Sequence, residues 1–237
     1  MKSFLKDKRN AVILLLGVLF VIGIPQSGPR FAFWVLAGAV ISAASDFFIS
    51  GFFGRQEAFP KSAIISGLIV SGILDYRQPW FILVIFCILP ALSKRFIRFR
   101  QKHIFNPAGF SLFLATLFRI PLTWSIESNT IVIIAFGIYL AYSCKKLPQV
   151  LGFLVLFLGI FRVFNMDAIG LISWFFVFVM LIEPKTSGYG TLKGVLFGAV
   201  AGAFCFLTFR YIPAFDPFVF SLLLANVARI AMSELLL

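Results

Sequence analysis

The sequence predicts an all-α, polytopic membrane protein of about ten transmembrane helices in two inverted five-helix repeats. Three observations carry that expectation. Of 237 residues, 61% are hydrophobic and only 13% charged, where a soluble domain has about 45–50% and about 25%. The apolar residues fall into ten segments separated by charges, prolines and glycines. The charges themselves alternate between the gaps, basic-rich and basic-poor in turn. A soluble globular enzyme is excluded by the first observation alone.

A helix needs about 20 apolar residues, with roughly 17–25 usual, to cross the hydrocarbon. The expected spans are 11–24, 31–50, 62–74, 79–93, 107–120, 130–143, 149–163, 168–182, 191–210 and 217–234. The first follows a basic start, Met1–Arg9, as a signal peptide would. However, Ile24-Pro25-Gln26-Ser27-Gly28 makes a poor small-residue cleavage site and more spans follow, so the segment is read as a retained helix. The third and eighth are too short to cross and are read as half-helices. Between spans four and five, the run Lys94–His103 reads as a lipid-facing amphipathic stretch or as a clamp for a phosphate-bearing ligand. Span nine carries Gly194, Gly198 and Gly202, a spacing for a close helix crossing.

Lys and Arg number 21 against 9 Asp and Glu, a net charge of +12. With the N-terminus in the cytoplasm, sixteen cations fall on the inner side. Only Arg30, Arg77, Arg119, Arg162 and Arg210 fall outside. Cytoplasmic loops are the basic ones, so ten spans with both termini in the cytoplasm of an inner membrane is the expected topology. The excess charge then reports the lipid bilayer, and nucleic acid is excluded as a partner because no basic face remains once the spans are embedded.

A repeat supports the division into 1–125 and 126–237. Phe105-Asn106-Pro107 opens the fifth span and Phe215-Asp216-Pro217 the tenth, and Arg119-Ile120 and Arg229-Ile230 follow at the same offset. Copies five spans apart run in opposite directions, and inverted repeats hold their sites near the midplane at short or broken helices. Asn or Asp before Pro initiates a helix: the side chain caps free amides, and Pro lacks the amide that would go unpaired.

The segments Lys61–Leu68, Lys102–Ala108, Glu183–Thr186 and Leu222–Asn226 resemble the RnfD/NqrB family. Its members are membrane components of the Rnf electron-transport complex and of the sodium-pumping NADH:quinone oxidoreductase, and this chain resembles their short stand-alone form. The resemblance spreads over most of the chain, and His103-Ile104-Phe105-Asn106-Pro107-Ala108 is its most specific part. It implies ten helices in inverted halves, a fold also similar to urea channels. It further implies flavin-linked electron transport coupled to Na+ or H+, with other membrane redox proteins as partners. The family's Ser-Gly-Ala-Thr flavin attachment motif is absent, so the implied FMN or riboflavin is held without a covalent bond.

The expected cofactor-binding residues are Ser62, Ser66 and Gly67 on the first half-helix, Lys102 and His103 in the basic run, and Asn106 and Asn226 on the paired spans. A small-solute transporter or channel on the same inverted fold is the alternative, and an inert assembly scaffold a third. Asp46 and Glu183 become ion or proton sites if they lie deep. Cys87, Cys144 and Cys205 lack metal-site spacing, one His cannot build a metal cage, and no nucleophile–base pair is visible, so no catalytic residue is assigned. Thr186–Gly190 reads as a loop rather than a selectivity filter.

Overall fold

The structure, a computed structural model, describes residues 7–52, 60–99, 102–183 and 190–235. Helices account for about three quarters of it. α1 (Lys8–Ser27) starts where Asp7 accepts a hydrogen bond from the Arg9 amide, and α2 (Pro29–Phe52) follows after one residue. α3 (Lys61–Ile73) is a 13-residue helix, α4 (Trp80–Phe96) runs back beside it, and α5 (Pro107–Leu117) has 11 residues. α6 (Thr130–Ser143) and α7 (Leu147–Val163) come next. α8 (Ala168–Leu171) is a single turn, and α9 (Thr191–Tyr211) and α10 (Pro217–Leu235) close the chain.

Among these, α1, α2 and α9 are long and apolar enough to cross a membrane. Their 20–24 residues rise about 30–36 Å, the thickness of the hydrocarbon. α3 and α5 rise only about 20 and about 16 Å, so the short third segment is as short as expected.

The eighth segment differs from a simple half-helix. After α8 the chain extends through Ile172 and Ser173, then coils again and closes in a π-turn over Phe176–Met180. Ser173 causes the restart: its Oγ accepts from the Phe176 amide at 3.0 Å, a helix N-cap. The basic run, expected as a lipid-facing stretch or a phosphate clamp, is built as a turn. α4 ends at Phe96, and a small antiparallel hairpin of β1 (Arg98–Phe99) and β2 (Lys102–His103) turns the chain into α5. Residues 184–189, with most of the Thr186–Gly190 stretch, lie outside the described residues.

Glycines set the closest helix contacts. A Cβ on Gly198 of α9 would overlap the Gln149 carbonyl of α7, and one on Gly202 would come within 3.1 Å of the Phe153 carbonyl. The expected small-residue stripe is therefore an internal seam between α7 and α9. Around it, Phe153, Phe157, Phe161, Phe176 and Phe218 pack ring against ring, Phe157 and Phe161 at 4.1 Å between centroids. Much of the phenylalanine excess is thus interior packing.

The segment 118–129 between α5 and α6 folds back onto the end of α3. The Ile126 amide donates to the Gly72 carbonyl at 2.8 Å and the Thr123 amide to Ile73 at 2.8 Å, while Leu74 bridges Leu122. These bonds take up carbonyls that the end of a helix leaves without partners.

Candidate functional site

A cavity of about 460 Å3 opens at the end of the bundle where α1, α3 and α5 begin and α6 ends. That is within the roughly 300–1,000 Å3 of pockets for drug-sized ligands. Its apolar lining is formed by Ile65, Ile69, Leu140, Phe178 and Val179. Ser62, Ser66 and Asn106 add polar groups to the lining, Ser62 and Ser66 on the same face of α3 as Ile65 and Ile69, and Lys8, Arg9, Lys94, His103, Asp7 and Glu183 add charged ones.

Each polar group is held by its neighbours. The Ser66 hydroxyl donates to the Ser62 carbonyl at 2.9 Å, one turn back on α3. Lys94, from the end of α4, donates to the Ser62 Oγ at 2.9 Å and stands 3.7 Å from Asp46 Oδ1. Asn106 makes two bonds with opposite polarity. Its Oδ1 accepts from the Gly109 amide at 3.0 Å, capping α5, and its Nδ2 donates to the Met180 carbonyl at 3.3 Å in the π-turn. The capping role expected from Asn-Pro is present, and a second, cross-chain bond comes with it.

At the rim, His103 Nε2 stands 3.7 Å from Glu183 Oε1, and Lys61 Nζ stands 2.7 Å from Asp7 Oδ2. The hydrogen bond from Lys61, with that from the Arg9 amide, holds the Asp7 carboxyl below its usual range. Beside the cavity Lys146 is buried. Burial, with Arg229 and Lys8 nearby, pushes its ammonium down to about 8. Burial likewise pushes the Cys144 thiol up. The end of the bundle that holds the cavity is thus rich in cations, which suits a ligand with an anionic or electron-rich edge.

Ser62, Ser66, His103 and Asn106 come together here. Gly67 does not: it faces α2, where a Cβ would stand 2.6 Å from the Gly38 carbonyl. Its smallness serves that helix crossing. Asn226 is buried in α10, outside this lining, and neither its Oδ1 nor its Nδ2 has a hydrogen-bond partner. The backbone of Lys102 pairs with Phe99 in the hairpin; its side chain lies outside the described residues.

Sequence reasoning did not single out Asp7, Cys144 or Phe178. For Asp7 a signal existed, an acidic residue just before an apolar helix. Cys144 and Phe178 reach the cavity only through packing.

At the other end of the bundle, Asp216 caps α10 by accepting from the Phe218 and Val219 amides at 3.1 and 2.9 Å. It also accepts from the Trp124 indole at 2.9 Å. Glu127 accepts from the Ser173 hydroxyl at 2.7 Å and from the Trp174 and Phe175 amides at 2.8 and 3.3 Å. Two carboxylates therefore cap two helix starts through the segment 118–129.

No protein-family model and no curated protein matches the chain. What it does must be argued from the cavity and its surroundings.

Proposed function

We propose that the chain is an integral membrane protein of the RnfD/NqrB type that holds a flavin, without a covalent bond, in the cavity beside Ser62, Ser66 and Asn106. The observation that carries this reading is the cavity's mixed lining of apolar, hydroxyl, amide and charged groups. Its apolar side chains suit a planar ring system, and its hydroxyl and amide groups suit the polar edge of that ring. Lys94 and the helix starts of α3 and α5 suit a ribityl phosphate. A bound flavin would supply electron transfer. The protein's own residues orient the ring, neutralise the phosphate and keep the site out of bulk water.

In this reading the chain crosses an inner membrane ten times, with halves 1–125 and 126–237 related by inversion and both termini in the cytoplasm. The sixteen-to-five division of cations supports it. So does the pairing of like elements: α1 touches α6, and α5 touches α10. Phe215, just before α10, stacks on Phe113 of α5, six residues past Pro107, which favours proline-led starts toward opposite ends. Partner redox proteins and coupling to Na+ or H+ follow from the same family reading.

The test is the colour of the purified protein. Expression in a flavin-replete host should give a yellow preparation whose flavin is released by denaturation. A colourless protein that also fails to quench the fluorescence of added FMN or riboflavin overturns the proposal.

One observation favours a second reading, a small-solute transporter. The cavity opens at the end of the bundle where α1, α3 and α5 begin, and none of its lining comes from the segment 118–129 at the other end, which is the one-sided access an alternating transporter needs. Proteoliposomes containing this chain alone should then show solute flux, and their inertness to small polar solutes would overturn it.

A further inference from the structure

Five connections between helices meet at the end of the bundle away from the cavity. The Arg30 guanidinium, at the start of α2, donates to the carbonyls of Tyr76, Arg77 and Gln78 at 3.0, 2.9 and 3.2 Å. The Asp75 amide of that same turn donates to the Pro121 carbonyl at 3.1 Å, in the segment 118–129. That segment reaches the start of α10 through Trp124 and Asp216, and the residues after α7 and α8 through Glu127 and Ser173.

Each connection carries one arginine and none carries a lysine: Arg30, Arg77, Arg119, Arg162 and Arg210, all of them exposed. The acids of this end are turned inward or spent as caps. Asp75 is buried on the Arg77 amide, Asp216 caps α10, and Glu127 is held by Ser173. Asp167, on the Gly170 amide, is the one exposed acid among these connections. Arg30 is taken up by its three carbonyls, and Arg77 stands 5.7 Å over the Tyr76 ring. The side chains of Arg119, Arg162 and Arg210 have no partner among the described residues.

An exposed aromatic ring accompanies each arginine. Phe33 follows Arg30 by one turn and Trp80 follows Arg77 by three residues. Phe118 precedes Arg119, Phe164 comes two residues after Arg162, and Tyr211 adjoins Arg210. Aromatic rings gather at the headgroup level of a bilayer, and the planar guanidinium fork matches two oxygens of a phosphate. The five arginines are spread over every connection of this end rather than gathered on one, which suits a surrounding leaflet and not a protein docked on a single patch.

We infer that these arginines form a belt that binds the phosphates of anionic phospholipids in the leaflet at this end, with the neighbouring rings set among the headgroups. The inference rests on the reading of the chain as an integral membrane protein and is independent of what the cavity holds.

The four tryptophans supply the test, because all of them lie toward this end. Trp34 packs on Trp80, Trp124 bonds Asp216, and Trp174 follows Ser173. The full chain is placed in mixed vesicles of phosphatidylcholine and phosphatidylglycerol, with bromine on the acyl chains of one lipid or the other to quench their fluorescence. At equal mole fraction, phosphatidylglycerol should associate about threefold or more better than phosphatidylcholine, since one cation near anionic headgroups is worth about fivefold. Exchanging Arg77, Arg119, Arg162 and Arg210 together for glutamine should make the two lipids quench alike. Inorganic phosphate should weaken the preference no more than sodium chloride at the same ionic strength; stronger competition would assign the belt to free phosphate and overturn the lipid. Equal quenching by the two lipids in wild-type protein that floats with the vesicles overturns the inference alone, and an acidic soluble partner on this surface would give that same result. A preference that survives the fourfold exchange overturns it too. Protein that does not float with the vesicles overturns the membrane reading and the belt with it. Should the fourfold variant not fold, the single variants such as Arg162→Gln decide, each expected to lower the preference.

Discussion

Replacing Asn106 by alanine removes two bonds at once, and their sizes can be set against each other. The N-cap on the Gly109 amide is lost, which costs about 0.5–2 kcal/mol. The Met180 carbonyl loses its donor from Asn106. A buried acceptor left without a partner costs about 1–3 kcal/mol. The sum is roughly 1.5–5 kcal/mol, which for a chain of this size corresponds to a fall in Tm of roughly 3–20 °C. Asn106→Ser separates the two effects: serine caps a helix as well as asparagine but is too short to reach the π-turn. It should lose about half as much. Thermal unfolding in one detergent, followed by tryptophan fluorescence, reads all three proteins. If Asn106→Ala melts with the wild type, the bond to Met180 contributes nothing and the argument that this residue ties α5 to the π-turn is refuted. Asn106→Leu, which also removes a polar group from the cavity lining, should abolish flavin binding while the protein still folds.

Further outcomes follow from neighbouring features. Gly198→Ala should lower Tm and expression, because even one methyl meets the Gln149 carbonyl, whereas Gly17→Ala should be neutral or stabilising, since a Cβ there has nothing within 4 Å. Cys144, half-buried and lining the cavity, should react slowly with maleimide at pH 7 and faster above pH 9, and added FMN should protect it; buried Cys87 and Cys205 should stay unlabelled until denaturation. Lys146, held near 8 in the fold against 10.5 for a free lysine, binds fewer protons folded than unfolded between those values. Stability should therefore rise as pH increases from about 8 toward 10.5, and Lys146→Met should flatten that rise in a pH series of melting curves.

The helix boundaries were legible because charge, proline and glycine punctuate apolar sequence strongly. The spans at 31–50, 130–143 and 191–210 lie within two residues of α2, α6 and α9. The two proline-led starts were legible for a local reason, since Asn106 and Asp216 cap amides two or three residues on. Bonds that join distant parts of the chain were not. Glu127 reads as an ordinary loop acid, and its partner Ser173 lies 46 residues away. The break at Ile172 and Ser173 is hidden in an apolar run whose composition would suit an unbroken helix. Gly67 shows the converse error: a small residue beside two serines looks like part of a binding surface, and only the approach of α2 reveals what its missing side chain is for.

The bond from Asn106 to Met180 also bears on how the protein is made. Its acceptor is synthesised 74 residues after its donor, a delay of roughly 4–15 s at about 5–20 residues per second. Throughout that interval the Asn106 amide lacks its final acceptor, so the tie between α5 and the π-turn forms only after most of the chain has been made. Final packing of these two parts is therefore a joint event, and a chain cut between them would leave each fragment without one partner of this bond.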